Sequence, residues 1–151
     1  MTQARLPFDA DGRSVDEVTI FCDGGSRGNP GPAAIGAVVL DATTDPPTPL
    51  ASVSEAIGVA TNNVAEYRAL IAGLDAAEPL RAHTVHVRAD SLLVIKQLRG
   101  EYRVKHDNLK PLHAEARARR AAYEVVDLQH GPRAQNVEAD ALVNAALDAL
   151  P

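Results

Sequence analysis

Between residues 58 and 62 the hydrophobic pattern changes period, and everything upstream of that switch reads as strand. Val18 to Asp23, Ala33 to Asp41 and Leu50 to Gly58 are three extended runs joined by short stretches rich in glycine and proline. That arrangement favours an antiparallel meander. One of the joints, "ATTDPPTP" (42–49), cannot continue a ladder because of its prolines and Asp45. Thr61 and Asn62 are good cap residues, and Tyr67, Leu70, Ile71 and Leu74 follow at i, i+3, i+4 and i+7. This spacing predicts a helix with one buried stripe, ending by Pro79. Downstream, "TVHVRAD" (84–90) alternates like a fourth strand and Ser91 opens a short helix to Arg99. A charged helix over 108–122, a fifth strand over 124–129 and a last helix from Asn136 complete the order βββαβααβα. The last helix carries an apolar stripe from Ala139 to Leu150. Such an order implies an α/β fold, a mixed sheet with helices on its faces.

The 151 residues suffice for one domain with a real core, and 46% apolar with 23% charged residues is ordinary for a globular chain. No apolar run is long enough to span a membrane, no cleavable leader opens the chain, and the lone Cys22 suits a small buried hydrophobe in a reducing compartment. The expectation is a cytoplasmic protein. Residues 1–16 lack periodicity and read as a disordered N-terminal arm, leaving 17–151 as the domain. Net charge is −5, yet the segment from Lys96 to Arg120 holds eight basic residues against three acids. A basic region on an acidic body fits a polyanion held on one side. From charge alone, a solvated helix of mixed charge is the simpler reading.

Four acids occupy unusual positions. Asp23 ends the first strand before the glycine-rich "GGSRGNPG", and Asp90 ends the fourth, where sites collect in such sheets. Glu66 and Asp140 each flank the buried stripe of a helix near its N-terminus. Singly, each could serve a turn, a cap or a helix dipole. Brought together they would repel and raise one another's pKa values, a cost that a cation removes. An all-oxygen ligand set points to Mg²⁺ or Mn²⁺ rather than zinc.

"CDGGSRGNPGPAAIGAVV", "ATNNVAEYRALIAGL", "RADSLLVIKQL" and "QNVEADALVNAAL" resemble, in order, the four motif blocks of the ribonuclease HI family. The match runs from about Val18 to Leu150. The resemblance implies a ribonuclease H-like, five-stranded mixed sheet with its first three strands antiparallel and helices on both faces. It also implies an endonuclease that hydrolyses the RNA strand of RNA–DNA hybrids with two divalent ions, leaving 3′-hydroxyl and 5′-phosphate ends. By that likeness Asp23 bridges both ions, Asp140 completes the site that activates water, and Glu66 and Asp90 hold the ion beside the leaving oxygen. Gly24, Gly25 and Ser26 lie in the loop that lets a nucleic-acid backbone approach. Asn29 matches a hybrid contact, Thr61 a DNA-phosphate contact, and Asn62 and Asn63 a pair reading the minor groove. Helix capping is the alternative for one of those asparagines.

Three departures from the family pattern stand out. Arg133 in "PRAQN" takes the place that many members give to a mobile histidine, while His130 reads as structural or as a second substrate contact. Only "GEYRVKH" (100–106) separates the two middle helices, so there is no room for a basic protrusion. The DNA strand then falls to a reduced basic surface including Arg99, Arg103, Lys105 and His106, and binding is expected to be salt-sensitive. Leu92 stands where a polar contact is common. The expected state is a monomer, with an N-terminal domain of a longer fusion protein as the alternative. A nuclease acting on other duplexes and a non-catalytic hybrid-binding module are the rival functions.

Overall fold

A computed structural model describes residues 14–151. Most of the expected N-terminal arm therefore lies outside the described residues. Of its last three, Val15 is buried, and the Asp16 carbonyl accepts hydrogen bonds from the main-chain N–H groups of His83 and Thr84.

The strands are β1 (Glu17–Ser26), β2 (Gly31–Asp41), β3 (Thr48–Ala60), β4 (Thr84–Ala89) and β5 (Val125–His130). The helices are α1 (Asn62–Ala77), α2 (Leu92–Leu98), α3 (Lys110–Arg120) and α4 (Val137–Asp148), with single 3₁₀ turns at Glu78–Leu80 and Arg133–Gln135. They form one five-stranded sheet in the order β3-β2-β1-β4-β5. β1, β2 and β3 pair antiparallel, whereas β4 runs parallel to both β1 and β5. The acid-bearing β1 is thus the central strand, and the parallel half puts its C-terminal end beside that of β4.

Alternation along β1 divides the sheet into two faces. Val18, Ile20 and Cys22 point into the main core, where Tyr67, Leu70 and Leu74 of α1 are buried against them. α3 closes that layer from outside, packing on α1. The two buried tyrosines keep hydrogen-bond partners: Tyr67 donates to Gln97 Oε1 (2.6 Å) and Tyr123 to the Leu74 carbonyl (2.7 Å). Ala34 lies on the opposite face with Val143 and Leu147 of α4. That helix can come close because β2 carries Gly36, where a Cβ would sit 2.4 Å from the Ala139 carbonyl oxygen.

Several boundaries differ from the sequence reading. β2 begins at Gly31, and β3 begins at Thr48, so Thr48 and Pro49 of the expected loop pair with Asp41 and Leu40 at the edge of the sheet. β1 continues past Asp23 through Ser26, because Gly24 and Gly25 keep their ladder partners Ile35 and Ala34. Asp23 is therefore inside a strand rather than at its end. α3 starts at Lys110, with Pro111 in its first turn, where its missing N–H costs nothing. Leu150 lies beyond α4 and is 42% exposed, so the buried stripe of that helix is Ala139, Val143 and Leu147.

Candidate metal centre and nucleic-acid interface

Each acid reaches the site for a local reason. Asp23 lies on the α4 face of β1, opposite Gly36 in the ladder, and is only 8% exposed. Asp90 leaves the end of β4 just before Ser91, whose hydroxyl caps α2 by accepting from the Val94 N–H. Thr61 caps α1 in the same way through Val64, which starts the helix early enough to place Glu66 over β1. Glu66 Oε1 then accepts a 2.8 Å hydrogen bond from the Gly24 N–H. A side chain at Gly24 is impossible here: its Cβ would stand 2.2 Å from the Ala65 carbonyl oxygen. The bare backbone at that position makes room for the protein's own helix, and Gly24 also lines the cleft that holds the acids.

Carboxylate oxygens of Asp23, Glu66 and Asp90 all lie within 4.8 Å of one another. Asp140 joins the group from the first turn of α4, lining the same cleft of about 390 Å³. Burial, then the neighbouring carboxylates of Asp90 and Asp140, raises Asp23 to about 7. Burial followed by the charges of Asp23 and Asp90 raises Glu66 to about 9, against the opposing bond from Gly24. Beneath them the buried Cys22 thiol is also pushed up, by desolvation first and then by Glu66, Asp23 and Asp90.

Among the described residues no lysine or arginine forms an ion pair with Asp23, Glu66 or Asp90. Arg133 approaches the fourth acid, with a nitrogen 4.0 Å from Asp140 Oδ1 and a side chain 80% exposed. Asp90 Oδ1 is buried without a hydrogen-bond partner. Crowded oxygens, suppressed ionisation and an unused lone pair together fit a hard divalent cation held by oxygen donors.

The loop contacts were not foreseeable one by one. Asn62 Oδ1 accepts from both the N–H and the hydroxyl of Ser26 (2.9 and 3.0 Å), and Asn29 Oδ1 accepts from the Asn62 N–H (3.0 Å). Both amides are thereby fixed by their oxygens on an exposed surface beside the acids. Thr61, not an asparagine, caps α1. Asn63 turns to a neighbouring groove lined also by Tyr102, Arg103, Lys105 and His106. Residues 99–109 join α2 to α3 without a helix of their own. Arg99 and His130 are not in either group: they border a different groove with Arg120, and the His130 ring contacts the Asp90 carbonyl (3.2 Å). Gly25 has open space, its nearest neighbour being Val143 at 3.9 Å from a built Cβ.

Two contacts near Asp140 escaped the sequence reading. Asn144 donates to Asp140 Oδ2 (3.4 Å) from one turn on, a spacing that could have flagged it, and buried Asn136 reaches back to the Cys22 carbonyl (2.7 Å), which no local pattern reveals.

A family described as reverse transcriptase-like matches residues 21–146. The bifunctional protein Rv2228c of Mycobacterium tuberculosis is 51% identical over 133 residues, covering 88% of this chain and 36% of that protein. The solved N-terminal RNase H domain of Rv2228c superposes with a TM-score of 0.85, covering 89% of this chain and 95% of that one. RNase H1 of Halobacterium salinarum superposes at 0.84 with 42% identity, covering 89% and 99%. LC11-RNase H1, solved in complex with an RNA/DNA hybrid, gives 0.80 and 40% over 87% and 96%. The chain spans about a third of the length of its mycobacterial relatives. With the sheet order, the helix placement and these matches in agreement, the chain belongs to the ribonuclease HI family.

Proposed function

We propose that this domain is an endonuclease that hydrolyses the RNA strand of RNA–DNA hybrids, using two Mg²⁺ or Mn²⁺ ions and leaving 3′-hydroxyl and 5′-phosphate ends. The observation that carries the reading is the cluster of Asp23, Glu66 and Asp90 within 4.8 Å, with Asp140 beside it. Asp23, Glu66, Asp90 and Asp140 would hold the ions, which when bound neutralise phosphate charge and lower the pKa of water. The chain's own groups do the rest. Glu66 is aimed by the Gly24 N–H, so its free oxygen faces the cleft. The Nδ2 groups of Asn62 and Asn29, left over once their oxygens are engaged, are donors for sugar hydroxyls and base-edge acceptors. Thr61 keeps its hydroxyl proton to give to a phosphate, because its cap bond uses only the oxygen.

Arg133 supplies a fixed positive charge at the cleft mouth that draws a phosphate in at any working pH. Lys105, Arg103 and His106, grouped with Asn63, offer a track for the DNA strand. Arg99 and His130, in their separate groove, take a peripheral part in binding. The domain acts as a monomer in the cytoplasm, as an N-terminal part of a longer protein like its mycobacterial relatives. The test is a metal-dependent digest of labelled hybrid, duplex RNA and duplex DNA side by side, with end analysis. Wild type should cut the RNA of the hybrid, and Asp23→Asn and Asp140→Asn should lose that activity while keeping the fold. Hybrid binding without cleavage in any metal would leave only the binding-module reading.

A further inference from the structure

Asn136 precedes α4 and belongs to the residue types that most often cap helices. It caps nothing: no N–H of the first turn bonds to its side chain. Its Nδ2 instead donates to the Cys22 carbonyl at 2.7 Å, across 114 residues of chain, and the residue is only 3% exposed. Its main-chain carbonyl meanwhile accepts from the Asp140 N–H at 3.0 Å. One residue therefore touches both acid-bearing segments, since Cys22 immediately precedes Asp23 and Asp140 is bonded to Asn136 by the opening turn of α4.

The amide is held in this orientation at a cost. Oδ1 is buried without a partner, a state native proteins rarely leave in place. Turning the amide over would set oxygen against oxygen at Cys22 and break the link between the segments. Gly36 acts in the same direction, because the missing side chain lets the Ala139 carbonyl settle against β2 directly opposite Asp23. The helix is admitted at Gly36 and tied at Asn136.

We infer that Asn136 is a positioning residue that fixes the separation of Asp140 from Asp23, and through it the affinity for the divalent ion. The inference rests on the metal-dependent reading proposed above. Ligand constellations tolerate displacements of only about 0.5 Å. Groups that orient ligands from behind change metal affinity or activity by about 10–100-fold when removed.

Asn136→Ser tests this, because a serine stays polar at the start of α4 but is too short to reach Cys22. Mn²⁺ binding to the folded protein, read by the electron-spin signal of the free ion, is measured with the Mn²⁺ concentration giving half-maximal cleavage. Binding is determined in the wild-type and Asp140→Asn backgrounds and the cleavage midpoint in the cleaving wild-type background alone, alongside thermal melts. The expected result is binding weakened about tenfold in the wild-type background, with less than about a twofold further change once Asp140 is gone. Equal weakening in both backgrounds, or a lowered melting temperature with an unchanged Mn²⁺ requirement, would overturn the inference. Should the variant not fold, hydrogen exchange of the Asn136 side-chain amide in the wild type gives the answer by reciprocity. Mg²⁺ should slow it about tenfold, and unaltered exchange would count against the link. A wild type that neither binds Mn²⁺ nor cleaves hybrid would refute the nuclease reading itself, an outcome separate from these.

Discussion

Replacing Glu66 by Gln should make the metal-free protein more stable while disabling its site, and the gain should grow with pH. In the unfolded chain a glutamate ionises near its ordinary 4.5, whereas in the folded chain Glu66 keeps its proton to about 9. The folded state therefore binds more protons than the unfolded state across that window, and stability falls as pH rises through it. At pH 8 the gap is worth about 5 kcal/mol if fully expressed. Glu66 is only half-buried, so solvent screening brings the expected gain for Gln down to about 2 kcal/mol. The glutamine oxygen can still accept from the Gly24 N–H, so the fold loses no bond. In a domain of this size, 2 kcal/mol corresponds to a rise of about 6 °C in Tm. Thermal melts in chelator at pH 5 and pH 8 would show little difference at the lower pH and the full rise at the higher. Excess Mn²⁺ should shrink the advantage by stabilising only the wild type. A Gln variant that is equally or less stable than wild type at pH 8 would refute the account of the acids as a repulsive, cation-seeking cluster.

Gly24→Ala should destabilise by more than about 3 kcal/mol and abolish cleavage, because the α1 main chain occupies the space of the new methyl group; urea unfolding measures the first and the hybrid digest the second. His86, bridging Glu17 and Asp127 on the sheet face that Arg88 also lines, is raised above its usual pKa first by its bond to Glu17. Its contribution is complete below about pH 6.5 and lost as pH climbs through the higher folded value. His86→Gln should then flatten the fall in Tm above pH 6.5 without altering the metal requirement. Lys105→Glu should raise KM for hybrid and reduce the steepness of its salt dependence by about one counterion, with kcat nearly unchanged, as titration at several salt concentrations would show.

The outline of this fold was legible because it depends on short-range rules. Strand alternation, the stripe of Tyr67, Leu70, Ile71 and Leu74, and the caps at Thr61 and Ser91 are all set within a few residues, and the elements followed them. The four acids were findable because Asp23 and Asp90 follow strand-like runs and Glu66 and Asp140 flank the buried stripe of a helix. What escaped depends on partners distant in sequence. Gly24 reads as permissive for a ligand until Ala65 is seen in the space of its missing side chain. Asn62 and Asn29 read as capping or binding residues, and only the folded loop shows their oxygens engaged with Ser26 and with each other's segment. Arg99 sits in a basic stretch with Lys105, yet the turn between α2 and α3 sends them to different grooves. The polar network around His86 joins three strands and has no local signature at all.

The order in which the acids occur along the chain has its own consequence. Asp23, Glu66 and Asp90 are all synthesised before α2, but Asp140 is delivered only by α4, about 50 residues later, against a sheet that must already exist to receive it. In the proposed mechanism a nascent domain emerging from the ribosome holds three-quarters of its ligands and no cutting power. Turnover is then a readout of the docking of α4, and any fragment that stops short of that helix should be inert however well its strands assemble.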